Sequence, residues 1–151
     1  MSTEVLAQLA SRAKLLEIVV FELRAKKNHG VAEEKVPELV QVRPAYNLET
    51  ASKDDNSGFL ITLSIKLDLP AGSIYCEIGA AYDFKEPIDF ALSADALVEY
   101  SNEVAVMTLL PFLRQNIADI SQRVLGFPLL MPIMPRGSLS FTLNEAKPAE
   151  G

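Results

Sequence analysis

Phe59-Leu60-Ile61-Thr62-Leu63-Ser64-Ile65-Lys66-Leu67-Asp68-Leu69 is the stretch that decides the fold class. Phe59, Ile61, Leu63, Ile65, Leu67 and Leu69 alternate with Thr62, Ser64, Lys66 and Asp68. Successive strand side chains point to opposite faces, so a strict period of two means a strand with one buried face. Pro70-Ala71-Gly72 then forms a tight turn. A second alternation follows, with Ile74, Cys76, Ile78, Ala80, Tyr82 and Phe84 opposite Tyr75, Glu77, Asp83 and Lys85. Upstream, Val40, Val42, Pro44, Tyr46 and Leu48 share a face against Gln41, Arg43, Asn47 and Glu49. Pro44 cannot donate to a ladder, which places that strand at an edge or at a bulge. A polar loop from Thr50 to Gly58 joins the two.

Further out the pattern is denser. Leu15 to Lys27 is rich in β-branched and aromatic residues, and Val19, Phe21, Leu23 and Ala25 alternate with Val20, Glu22, Arg24 and Lys26. Its first half is apolar on both faces, so it is expected to be covered twice. Asn28-His29-Gly30 ends it, and a loop runs on to Glu38. Four strands joined by polar loops favour an antiparallel meander. Before them, Ser2 or Thr3 caps a short helix with Val5, Leu6, Leu9 and Ala10 on one face. After Pro87 the period becomes helical. Ser93 caps a helix to about Tyr100. A longer one runs from about Ser101 to Leu125 with the stripe Val106, Leu109, Leu110, Leu113, Ile117, Ile120 and Val124. Pro111 should kink it or divide it from the preceding segment, and Gly126 ends it. Strands first and helices after define an α+β domain, a four-stranded antiparallel sheet with C-terminal helices on one face. Residues 1–151 are expected to be one domain, with 1–13 a helical arm and 144–151 a flexible tail.

Composition excludes several function classes. The chain has 151 residues and a net charge of −6, with one Cys, one His and no Trp. An acidic chain is a poor nucleic-acid binder, because phosphates are neutralised by clustered Lys and Arg. One Cys forbids an internal disulfide, and with one His it leaves no zinc set. No run approaches the ~20 apolar residues of a membrane span. The first residues lack the basic and apolar regions of a signal peptide, so a cytoplasmic location is expected. His29 lies in a turn without a second ligand. Cys76 lies on an apolar strand face, where a buried inert thiol is the expectation. Asp54-Asp55-Asn56-Ser57-Gly58 lacks the closing Glu of a calcium loop and reads as a polar hairpin tip. Glu99 and Glu103 stand four apart on a helix face, and Arg114 and Asp119 suit surface or interface pairs. There is no phosphate loop and no catalytic constellation, so neither an enzyme nor a cofactor is expected.

Gly126-Phe127-Pro128-Leu129-Leu130-Met131-Pro132-Ile133-Met134-Pro135 is the unusual segment. Its prolines forbid regular helix, yet six of its residues are large and apolar. Such a strap must lie on apolar surface, its own or a partner's. It either packs over the sheet, the common fate, or walls a binding groove. The unbranched thioethers of Met131 and Met134 suit the second reading.

Leu110-Pro111-Phe112-Leu113-Arg114-Gln115-Asn116-Ile117, then Gly126-Phe127-Pro128 and Met131-Pro132-Ile133, resembles the SecB family of export chaperones. That family carries a Phe-Pro-Tyr-Ala-Arg-like helix segment, a Phe-Pro and an Ala-Pro-Val strap. Tyr75-Cys76-Glu77-Ile78 resembles its Leu-Cys-Glu-Val, and Phe21-Glu22 the end of its Ser-Phe-Glu. The similarity runs in order from about Leu15 to Leu139.

The resemblance implies a holdase that binds unfolded or precursor polypeptides without ATP, assembled as a dimer or a dimer of dimers (a homotetramer). The client groove would involve Phe127, Leu129, Leu130, Met131, Ile133 and Met134. The long helix, through Val106, Leu110, Leu113 and Ile117, would form the oligomer interface. Glu22, Tyr75 and Glu77 match positions of the family's docking patch for the preprotein translocase ATPase. The family's Asp and Ser of that patch fall on Ile18 and Val20, so the patch is incomplete. After the strap only Ser138-Leu139-Ser140-Phe141-Thr142-Leu143 remains of a helix, and it alternates like a strand. This points to a SecB-like relative with a dedicated client such as an antitoxin, possessing no nucleic-acid partner and no membrane insertion. The competing readings are a small apolar-ligand carrier and a non-catalytic oligomeric scaffold.

Overall fold

The computed structural model describes residues 3–30, 44–86, 88, 92–131, 139–142 and 147–148. A sheet carries the domain. β1 spans Ala13–Lys27, β2 Ala45–Ser52, β3 Gly58–Leu69 and β4 Gly72–Phe84. The inward residues of β3 and β4 named above are all buried, and Leu63 lies opposite Ile78 in the centre of the pair. Tyr46 and Leu48 of β2 join that face across from Ile65 and Leu63. β2 continues through Thr50–Ser52, where a loop was expected, because Lys53 to Gly58 close a tighter hairpin by themselves. Val40 and Val42 lie outside the described residues.

β2, β3 and β4 form the expected meander. The first strand departs from it. β1 pairs antiparallel with β4 at the far edge, giving the order β1-β4-β3-β2. The β3–β4 turn is too short to do anything but fold back, whereas the chain from Asn28 to Pro44 is long enough to cross the sheet. A two-residue strand, β5 (Lys147–Pro148), runs parallel to β2 beside Glu49 and Thr50, inside the stretch expected to be a tail.

β1 also corrects the expectation of double cover. Its register slips between Leu15 and Glu17 and between Val20 and Glu22, so Leu16 and Phe21 are extra residues. Each bulge resets the alternation. Val20, Leu23 and Ala25 therefore align with the inward Ile78, Cys76 and Ile74, while Glu22 aligns with the outward Glu77. In the single chain Leu15, Leu16, Val20, Phe21 and Leu23 remain exposed, because β1 is an edge and the helices reach only part of it.

The helices form the second layer. α1 (Thr3–Arg12) buries Leu9 and packs on α2 (Ala94–Tyr100). The Ser93 hydroxyl caps α2 by accepting the Ala96 amide at 3.1 Å. A π-helical turn over Ser101–Ala105 separates α2 from α3 (Val106–Leu125), so the expected division falls before Pro111, which is carried inside α3. Phe59 stacks on Tyr82 at 4.9 Å, and Tyr100 meets both edge-on at 5.4 Å, joining α2 to the sheet. α3 lies across β1 and β4. Val106, Leu110, Leu113 and Ile117, expected at an oligomer interface, are buried within the chain that carries them. In the single chain these side chains belong to the core between α3 and the sheet.

Candidate functional site

Gly126 ends α3 in the left-handed conformation, φ 89°, where a side chain would be strained. Its amide returns to the Ser121 carbonyl at 3.2 Å. Ser121 then does more. It is fully buried, its hydroxyl donates to the Ala118 carbonyl at 3.0 Å, and its oxygen accepts the Leu129 amide at 2.8 Å. One hydroxyl inside the apolar stripe thus fixes where the strap crosses the helix end.

So fixed, the strap divides its residues between two environments. Leu129 and Met131 turn inward and are buried, and Phe127 is half-buried. Leu130 turns outward with 68% of its surface exposed. Among its described residues the strap thus seals the core with Leu129 and Met131 and offers Leu130 to solvent. Ile133 and Met134 lie outside the described residues. Other apolar surface is open on Phe112 of α3 and along β1.

The other face of the sheet carries charge. Glu22 and Glu77 lie directly opposite each other on β1 and β4, and Tyr75 lies opposite Arg24. Arg24 binds Glu22 at 2.8 Å and stacks its guanidinium 4.7 Å from the Tyr75 ring centre. The three expected patch residues are thus brought together, with a cation among them. Toward the β3–β4 turn, Arg24, Lys26 and Lys66 with Asp68, Ser73 and Tyr75 border a hollow of about 440 Å3. Phe21 covers Gly79 from this side: a Cβ there would lie 2.5 Å from its ring.

The remaining candidates are ordinary. His29 is exposed in its turn. Cys76 is buried, and desolvation pushes its thiol up to about 11. Asp55 closes the β2–β3 hairpin tip by accepting the Ser57 amide at 3.0 Å; hydrogen bonding to Ser57 holds its carboxyl below the usual range. Glu99 is half-buried and Glu103 exposed, while Arg114 is half-buried and Asp119 exposed. Among the described residues no group of three or more His, Cys, Asp or Glu is placed to hold a metal, and no helix is long and apolar enough to cross a membrane.

Two side chains that position chain segments, Ser121 and Asn102, were not singled out in the sequence. Ser121 was legible as a hydroxyl at i+4 from Ile117 on the apolar stripe. Asn102 was not. Its side chain holds the backbone of Phe141 through two hydrogen bonds.

Sheet order, long helix and apolar strap together define a SecB-like fold. No protein-family model and no curated protein matches the sequence. Among solved structures, the chain is similar to Mycobacterium tuberculosis Rv1957, a SecB-like chaperone in complex with a ChAD peptide from the Rv1956 HigA1 antitoxin. The TM-score is 0.71 at 20% identity, covering 87% of this chain and 94% of that one. A protein of unknown function from Streptococcus agalactiae matches at TM-score 0.43 and 12% identity, over 81% of this chain and 97% of that one.

Proposed function

We propose that this protein is a non-enzymatic, ATP-independent holdase chaperone that binds non-native polypeptides on apolar surface beside its strap. The observation that carries the reading is Leu130, a large apolar side chain held 68% exposed between two buried neighbours. Exposing it is unfavourable on its own, and burial against almost any apolar segment returns about 25 cal/mol per Å2 without a fixed partner sequence. The likeness to a chaperone fold solved with an antitoxin peptide supports a polypeptide client, and a dedicated client such as an antitoxin fits it. Phe127, Leu130, Ile133 and Met134 are the proposed client contacts, with Leu129 and Met131 as their support.

Self-association into a dimer or dimer of dimers is part of the proposal, through the edge of β1, which no other strand covers among the described residues, in place of the α3 stripe. A long, apolar, unpaired edge is a template for strand addition. An export role in the cytoplasm would use Glu22, Tyr75 and Glu77 to dock the translocase ATPase, with Arg24 offsetting part of their charge. The apolar-carrier alternative calls for an enclosed apolar cup, whereas the hollow of about 440 Å3 lies open beside Arg24, Lys26, Lys66 and Asp68. The scaffold alternative predicts an oligomer with no client affinity.

Light scattering of a chemically denatured client, at near-stoichiometric ratio and without nucleotide, tests the reading. Aggregation is suppressed for several unrelated clients. No suppression for any of them removes the proposal.

A further inference from the structure

Residues Leu139–Thr142 lie against the π-helical turn, joined to it through Asn102 and Phe141. Leu139 is half-buried and Phe141 buried, while Ser140 and Thr142 are exposed, so the segment presents one face inward with period two. Asn102 grips it in the middle. Its Nδ2 donates to the Phe141 carbonyl at 2.8 Å, and its Oδ1 accepts the Phe141 amide at 2.7 Å. A neighbouring strand makes the same pair of bonds to one residue of its partner. The grip reads one N–H and one C=O, which every residue but proline carries, so it selects an extended backbone and not a sequence. Beyond it, Lys147–Pro148 add to the edge of β2, a second place where terminal chain lies on the domain. Asn102 itself sits in a π-helical turn, a distortion that recurs at functional sites.

We propose that the surface beneath Leu139–Thr142 is a binding site for an extended apolar peptide segment, and that the chain's own residues hold it until a client segment takes their place. The hold includes the buried Phe141 ring and its backbone pair to Asn102. An unfolded apolar segment brings both, so exchange leaves no polar group of Asn102 without a partner. This rests on the holdase reading and adds to it an internal competitor, which lowers apparent client affinity by the fraction of molecules in which the site is occupied.

The probe is a labelled peptide Ser-Leu-Ser-Phe-Thr-Leu, the sequence of residues 138–143, titrated into the full chain. Phe141→Ser removes the internal anchor and is expected to tighten peptide binding by at least about tenfold. Adding Asn102→Ala to that variant removes the gain. A peptide with N-methylated Phe, which keeps the ring and loses the amide hydrogen, binds more weakly than the probe. Equal affinity for wild type and Phe141→Ser, or a gain that survives Asn102→Ala, overturns the site. Should Phe141→Ser not fold, hydrogen exchange in the wild-type chain carries the test: excess peptide deprotects the Phe141 amide, and unchanged protection overturns the proposal. No unfolded client enters this titration, so its failure removes the site while aggregation assays judge the holdase reading separately.

Discussion

The Ser121 hydroxyl accepts the Leu129 amide at 2.8 Å inside a fully buried setting, tying the strap to the last turn of α3. Ser121→Ala leaves that amide without a partner. A buried donor so orphaned costs about 1–2 kcal/mol. Denaturant unfolding should show this loss, and limited proteolysis should find faster cleavage between Leu129 and Leu130. An unchanged midpoint would mean that the strap is held by its apolar contacts alone.

Leu130 tests the client surface with little risk to the fold. Its side chain is mostly in solvent, so Leu130→Asp should shift stability by no more than about 0.5 kcal/mol. Client binding should fall sharply, since a carboxylate resists desolvation. Leu129→Asp makes the contrast: it places a charge in the core and should unfold the chain. Wild-type suppression of aggregation by Leu130→Asp would disprove the assignment.

The edge of β1 tests self-association. Leu16→Lys with Val20→Lys puts two charges where a second strand would add, at side chains already exposed in the single chain. Size measurement should show the assembly falling to a monomer with little change in melting temperature. Retention of the wild-type size would place the interface elsewhere. Phe112→Ser, exposed on α3, serves as the control and should leave the assembly intact.

Cys76 gives a pH signature. Burial raises its thiol from the ordinary 9.0 to about 11 in the folded chain. A raised folded value means that the contribution is complete below pH 9 and is lost as pH climbs toward 11, because the unfolded thiol ionises first. Stability should therefore decline over that window, and Cys76→Ala should flatten part of the decline. The half-buried Tyr46 and the buried Tyr82 and Tyr100, also raised by desolvation, add to the slope in the same direction. A thiol reagent at pH 8 should leave native Cys76 unmodified.

Local signals carried most of the fold. Period two in β3 and β4, the Ser93 cap and the Gly126 stop are each set by neighbours in the chain, so they could be read directly. The partner of β1 could not, because strand order depends on contacts between residues far apart. Its two bulges could not either, since nothing local marks Leu16 or Phe21 as unpaired, and they shifted the inward set from the simple alternation. At the strap, composition announced the conflict between proline and apolar residues but not its resolution. Which side chain turns outward depends on Ser121, one residue on another element. The α3 stripe was legible from its period, and Val106, Leu109, Leu110, Leu113 and Ile117 are buried in the single chain.

The pairing of Ala13 with Phe84 and Lys27 with Gly72 has a consequence for biogenesis. As the polypeptide leaves the ribosome, β1 is the first strand to emerge and finds no mate until β4 has been synthesised. Throughout that interval the newborn chain displays Leu15, Leu16, Val20 and Phe21 as bare aggregation-prone surface. A protein proposed to shelter the unfinished chains of others is itself, for that stretch of translation, a chain in need of shelter.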